Sequence, residues 1–387
     1  MFAKKLILLL LILLINIQFC YSINPNIIDS VSIDSLVNTV KDLSGEQIII
    51  IDGHNAFINN RKYDSDGNRI TENYLLDLGR KFEYRTYINT YNDTCNNIIW
   101  ESDGTLYSDS IVIIGAHFDT YNIHDFYRLS PGADDNASGC AAIIEIARLL
   151  KNYKPLLKMK FIFWDEEEVG LYGSEYYSRN AKINTEKIKL YINLDMIGWD
   201  KDNEGKIRIR YPYINKSSIY ANSARKICLD FIPGLNPVME TNNLKNMYFS
   251  DSYYFWEYGY SAIALSDVHG FEDLTHTQND LISLFNLDYY LNNTKLALAL
   301  VMNFAYNIET NVSENNINDK LSLYPNPASE YLVISGYDGE AEIINALGLS
   351  LWHGAIKSGQ RIDVSHLPIG LYFIQIGSYS EKFMVLR

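Results

Sequence analysis

The chain has 387 residues, 47% of them hydrophobic, and a formal net charge of -14; it is long enough for one large domain and a small one, with an ordinary core. Its acidity repels phosphate backbones and anionic lipid, and no basic cluster offsets it, so nucleic acid is not an expected partner. Of the four cysteines, Cys20 lies in the leader described next. The remaining three, Cys95, Cys140 and Cys228, imply no disulfide framework.

Lys4 and Lys5 precede an unbroken apolar run from Leu6 to Ile15, and Cys20 and Ser22 place small side chains where a signal peptidase reads. This is the layout of a secretory signal peptide over residues 1–22. The run is shorter than the ~20 apolar residues a bilayer span needs, so no stable transmembrane anchor is expected. From Ile23 to about Ser110 the sequence mixes a short amphipathic helix, around Ile33 to Leu43, with strand-like pieces such as Gln47 to Ile51. Whether part of Ile23 to Glu46 is a removable pro-segment stays open.

A recurring pattern follows. Ile111 to Ile114 is a continuous apolar run of strand length, and Met159 to Trp164, Leu190 to Leu194 and Ser261 to Leu265 also read as strands. Ala137 to Leu150, Tyr172 to Arg179 and Asp288 to Ile308 carry helical spacing. Strands of this kind alternating with helices predict an α/β domain with a mostly parallel central sheet flanked by helices. The asparagine-rich stretch 307–320 reads as a linker between a catalytic domain at 23–306 and a tail. Residues 321–387 alternate in short segments broken by Pro327, Gly336, Gly348, Gly359 and Gly370, which predicts a small all-β domain.

Potential metal ligands collect at the ends of the predicted strands. They are His117 and Asp119 in Gly115-Ala116-His117-Phe118-Asp119, and Asp134 and Asp135 in Pro131-Gly132-Ala133-Asp134-Asp135-Asn136-Ala137-Ser138-Gly139. Glu166, Glu167 and Glu168 follow Asp165, Asp195 follows Leu194, and His276 precedes Thr277. In open α/β sheets the carboxyl ends of the strands line the ligand crevice. Imidazole with carboxylate suits zinc with open positions. Buried carboxylates sharing one pocket would be costly without a cation, and a pair of divalent ions removes that cost. Taken singly, a His-x-Asp is also a common surface turn, three glutamates a solvated face, and Asp-Asp-Asn a helix cap. Spacing alone leaves both readings open.

These pieces, with Glu167-Glu168-Val169-Gly170-Leu171-Tyr172-Gly173-Ser174 and Asn193-Leu194-Asp195-Met196, resemble in order the signature of the co-catalytic dizinc exopeptidases. That family includes secreted bacterial leucyl aminopeptidases and relatives of glutamate carboxypeptidase and glutaminyl cyclase. The resemblance runs from about Asn96 to Leu300. It implies two zinc ions per chain, one held by His117 and Asp195, the other by Glu168 and His276. Asp134 would bridge them and join Asp135 through a cis peptide. Glu167 would be the general base for a metal-bridging water, and Asp119 would accept a hydrogen bond from His117 outside the metal ligands. Asp135 is likewise placed outside the ligands, and Glu166 is read as a surface residue. Family members often carry a tyrosine just before a Ser-Asp pair, where it stabilises the tetrahedral intermediate. Here the pair is Ser250-Asp251, and Tyr248 is the candidate at a slightly different offset. His124 and His269 read as loop or core residues.

Leu323-Tyr324-Pro325-Asn326-Pro327-Ala328, Gly370-Leu371-Tyr372-Phe373-Ile374 and Lys382-Phe383-Met384-Val385 resemble the C-terminal sorting domain of the type IX (Por) secretion system. That implies export through the periplasm to the cell surface or medium, with the secretion machinery as a partner. The leading function is a secreted zinc aminopeptidase acting on peptide substrates. The alternatives are a single-zinc glutaminyl cyclase-like enzyme, against which the doubled aspartate counts, and a catalytically silent binding protein on the same fold.

Overall fold

A computed structural model describes residues 25–92, 95–123, 129–212, 215–268, 274–306, 322–335, 339–345, 350–376 and 379–386. The signal peptide, the linker 307–320, His124 and His269 lie outside the described residues. The chain divides into two compact units, Met1–Asn307 and Ile308–Arg387.

The first unit is built on a sheet of eight strands: β3 (Arg85–Thr90), β4 (Asn96–Ser102), β5 (Tyr107–His117), β6 (Leu157–Trp164), β7 (Lys187–Leu194), β8 (Lys206–Pro212), β9 (Asn236–Asn242) and β10 (Ala262–Asp267). A separate hairpin pairs β1 (Ile49–Ile51) with β2 (His54–Ala56). The spatial order is β3-β4-β6-β5-β7-β10-β8-β9. The central strands β6, β5, β7 and β10 run parallel, whereas β3, β4 and β8 join their inner neighbours antiparallel. The sheet is therefore mixed, and parallel where the candidate ligands sit.

The centre is parallel because these strands are buried on both faces. Val112, Ile113, Ile114, Phe161, Ile162, Phe163, Leu190 and Ile192 are fully buried, some facing one core cluster and some the other. Continuous apolar runs are what such burial requires. The helix Gly139–Leu150 packs one face of the sheet with Cys140, Ile143 and Ile146, and the helix Leu287–Val301 covers the same core. Tyr172–Ile183 and Ser252–Glu257 cover the other face through Tyr177, Phe255 and Trp256.

The helix Ile33–Leu43 joins the early segment to the core. Ser32 caps it by accepting from the Ser35 N–H, and Leu36, Val40 and Leu43 are fully buried in the main core. Burial of one such side chain is worth roughly 1.5–3 kcal/mol. The carboxylate of Glu145 on the neighbouring helix accepts from the Ser32 N–H at 2.9 Å and the Ser35 hydroxyl at 2.8 Å. This helix is packed into the main core of the first unit.

The second unit has two antiparallel sheets. β11 (Ser322–Tyr324), β12 (Tyr331–Ser335) and β15 (Arg361–Asp363) form one. β13 (Gly339–Asn345), β14 (Ser350–Ile356), β16 (Gly370–Ile376) and β17 (Tyr379–Val385) form the other. Leu332 and Ile334 from the first share one core with Ile343, Ile374, Phe383 and Val385 from the second.

Candidate metal centre

Three parallel strands deliver the site. β5 ends at His117, and Asp119 follows two residues on. β6 ends at Trp164, after which Asp165 to Glu168 turn over the sheet edge. β7 ends at Leu194, just before Asp195. The turn Ala133–Ser138 carries Asp134 and Asp135 into the helix Gly139–Leu150, and His276 comes from the loop after β10. Glu166, Leu171, Met196 and His276 all hold positive φ. Side chains rarely adopt that region, and such residues gather at functional sites.

Two clusters share one residue. His117, Asp135 and Asp195 form the first, and Asp135, Glu168 and His276 the second; within each, the potential ligand atoms lie within 4.8 Å of one another. His117 Nε2 is 3.3 Å from Asp135 Oδ1 and 3.5 Å from Asp195 Oδ1. His276 Nε2 is 3.0 Å from Asp135 Oδ2 and 2.8 Å from Glu168 Oε2. The two carboxylate oxygens of Asp135 thus face the two histidines separately.

The sequence-based expectation placed Asp134 at that point. Asp134 instead turns inward, with Oδ1 accepting from the Gly198 N–H at 2.7 Å. The cis peptide also falls one residue later, between Asp135 and Asn136. The Asp280 carboxylate accepts from the N–H of Asp134 at 2.8 Å and of Asp135 at 3.0 Å, which fixes the direction of each side chain. Asn136 donates to Leu194 O at 2.9 Å, tying this turn to the end of β7.

Asp119 Oδ1 lies 3.4 Å from His117 Nδ1, long for a hydrogen bond. Its firmer contacts are with the neighbouring turn, where Oδ1 accepts from the Glu167 N–H at 3.1 Å and Oδ2 from the Glu168 N–H at 3.3 Å. Asp119 therefore braces the backbone that presents both glutamates. Glu166 is buried rather than surface-exposed, and Asn92 donates to its Oε2 at 3.3 Å.

Asp195 is fixed from below. Trp164 donates to the Tyr191 hydroxyl, Tyr191 to Asn193 Oδ1, Asn193 to Ser250 Oγ, and Ser250 to Asp195 Oδ2, in links of 2.6–2.7 Å. Sequence reasoning missed this chain, because its members are ordinary polar and aromatic residues with no motif among them. Tyr248, about half exposed, donates to Gly170 O at 3.1 Å.

The donor set fits a divalent cation. Several carboxylates converge in a buried pocket, and Glu168 Oε1 is buried with no hydrogen-bond partner. Burial and the neighbouring Asp135 charge lift Glu168 to about 8. Burial raises Glu167 well above the usual carboxylate range; the His117 charge opposes this, and Asp195 and Glu168 add to it. Burial likewise lifts Asp251 to about 7 and Asp280 to about 7. Burial opposes protonation of His276, but Asp135 and Glu168 prevail and hold it at about 10.

These shifts fix a sign. Glu168, Asp251, Asp280 and His276 all bind protons more tightly in the folded chain than in the unfolded one. Each stabilising contribution is complete below the unfolded pKa and is lost as pH rises through the folded one. The depressed Asp135, where burial is outweighed by His117 and His276, acts only in acid. Metal-free protein is expected to lose stability between about pH 5 and pH 9, counting from ordinary carboxylate values. Added zinc should stabilise more at the upper end, because ligands must shed protons to bind. Thermal unfolding of chelated protein at pH 5.5 and 8.5 checks this; a midpoint that rises with pH would contradict it.

Fold and site together define an α/β protein with a two-lobed candidate metal centre at its parallel strand ends. Residues 97–301, more than half of the chain, match the model of peptidase family M28, and the chain belongs to that family. Residues 322–385 match the model of the secretion system C-terminal sorting domain. An aminopeptidase of Pseudomonas aeruginosa is 43% identical over 91 residues, 23% of this chain and 16% of that protein, so the match spans well under half of that relative. A zinc aminopeptidase from Bacillus subtilis has a similar fold, with a TM-score of 0.59 at 15% identity over 73% of this chain and 98% of that one. Glutaminyl cyclase of Bacteroides thetaiotaomicron is also similar, with a TM-score of 0.55 at 19% identity over 70% and 97%.

Proposed function

We propose that the protein is a zinc-dependent aminopeptidase that removes N-terminal residues from peptides, with two ions held on either side of Asp135. The observation that carries this reading is the position of Asp135, whose two oxygens face His117 and His276 at 3.3 and 3.0 Å. His117 and Asp195 would complete one ion's ligands, and Glu168 and His276 the other's. Zinc held there would supply a Lewis acid for the scissile carbonyl and lower the pKa of water.

The chain's own residues do the rest. Glu167 would stand beside a ligand without being one, and with cations bound next to it its carboxyl would be ionised, free to accept a proton from water and return it to the leaving amine. Asp119 accepts from the Glu167 N–H, which would hold the base in place. The hydrogen-bonded chain ending at Ser250 restrains Asp195. Tyr248, anchored on Gly170 O, stands at the rim beside that turn as the candidate to hydrogen-bond the developing oxyanion.

Family membership and a shared fold are compatible with glutaminyl cyclisation as well, so the test measures both reactions. A strong chelator should abolish hydrolysis of amino-acid anilides, and zinc should restore it. Full activity in the metal-free protein would overturn the reading, as would cyclisation of glutaminyl peptides without anilide hydrolysis.

The tail is proposed as an export address read by type IX secretion machinery, reached through the periplasm. Deleting residues 322–387 should leave an active enzyme retained by the cell. Extracellular protein that keeps Arg387 would argue for an attached binding module instead.

A further inference from the structure

Arg61 lies in the segment before the family match, and it is fully buried. No ion pair among the described residues holds it. Its guanidinium is spent on backbone carbonyls. Nε donates to Phe118 O at 2.6 Å, Nη1 to Leu43 O and Pro131 O at 2.6 Å each, and Nη2 to Gly132 O at 2.8 Å. Asn68 donates to Arg61 O at 3.1 Å, and the Arg61 N–H donates to Thr120 Oγ1 at 3.0 Å.

The choice of carbonyls is informative. Phe118 lies between His117 and Asp119. Pro131 and Gly132 immediately precede the turn of Asp134 and Asp135. One rigid fork therefore ties the end of β5 to the segment that carries the shared aspartate, and ties both to the helix Ile33–Leu43 through Leu43. Gly132 holds φ 51°, and a Cβ there would fall 2.3 Å from Asp135 O, so this segment has little room to settle elsewhere. Asp280, Asp135 and Asp119 also lie close enough to act on the guanidinium by charge, opposing the fall in its pKa that burial causes. Burying a cation without a paired carboxylate is costly. A layer of site carboxylates just beyond the carbonyls offsets that cost.

We propose that Arg61 is a positioning residue of the metal centre: it sets the spacing between His117 and Asp135 and supplies a fixed positive charge behind the carboxylates. The inference rests on the zinc reading above. Lysine cannot replace the fork, because an ammonium is a point charge without guanidinium's planar donor geometry.

The test uses the full chain and zinc itself as probe, with affinity read by chelator competition. Arg61→Lys and Arg61→Met are compared with Lys160→Met. Lys160 is a buried cation outside the site, bonded to Tyr177 OH at 2.7 Å and Glu186 Oε2 at 3.1 Å. Both Arg61 variants should raise the zinc dissociation constant by about 10–100-fold, the range found when groups supporting metal ligands are removed. They should lower kcat far more than they change KM. Lys160→Met should lower thermal stability and leave zinc affinity unchanged. If Arg61→Met does not fold, Arg61→Lys decides. Zinc affinity equal to wild type in folded Arg61→Lys would overturn the inference alone; a wild-type chain that binds no zinc would overturn the function reading beneath it.

Discussion

Replacing Glu167 by Gln is expected to lower turnover by about 10²–10⁴-fold, the usual contribution of a general base, while zinc content stays unchanged. Glutamine keeps the size and the backbone held by Asp119 but cannot take a proton. Substrate affinity should change little, since the ions and pocket remain. Replacing Glu168 by Gln should behave differently. Its carboxylate faces His276 at 2.8 Å, so losing its charge should lower metal occupancy together with activity. Adjacent residues would give different metal phenotypes from the same chemical change. Turnover by the two variants, read beside zinc per chain, distinguishes them. If Glu167→Gln loses zinc while Glu168→Gln keeps it, the two roles are exchanged; if neither alters turnover, the site lies elsewhere.

Much of the frame was legible because its strands are simple. β5, β6 and β7 are buried on both faces in their C-terminal halves, so apolar residues predominate there, and a potential ligand stands at or soon after each strand end. The flanking elements were not legible. The helix Asp66–Lys81 buries Gly67, Asn68, Thr71, Glu72 and Gly79 on its inner side, so its apolar periodicity is broken. β8 alternates charged residues with buried ones, and β9 is mostly partly exposed. Arg61 stands in Asn59-Asn60-Arg61-Lys62, a stretch that reads as solvated, and only tertiary structure reveals four carbonyls around it. Glu166 was misread for a related reason, since a run of glutamates is usually exposed. The structure brings His117, Asp135, Glu168, Asp195 and His276 together, but the directions of their side chains were not legible in the sequence. Asp134 and Asp135 are chemically identical neighbours in one turn. Which carboxylate faces the histidines is decided by Asp280 and by Gly198, distant residues that no local pattern connects to them.

That distinction carries the largest effect on the metal centre itself. Asp135 is shared by both clusters, so on the proposed reading Asp135→Asn would remove a charged ligand from each ion at once. Asp134 is fully buried. Burial, reinforced by Asp280 and Asp267, raises its pKa well above the carboxylate range, and its Oδ1 only accepts from Gly198. Asparagine preserves that acceptor and resembles the neutral acid. The most direct measurement is zinc per chain in the wild type and in both variants after exhaustive dialysis. Two ions are expected in the wild type and in Asp134→Asn, and fewer than one in Asp135→Asn. Two ions retained in Asp135→Asn, with loss in Asp134→Asn, would contradict the account.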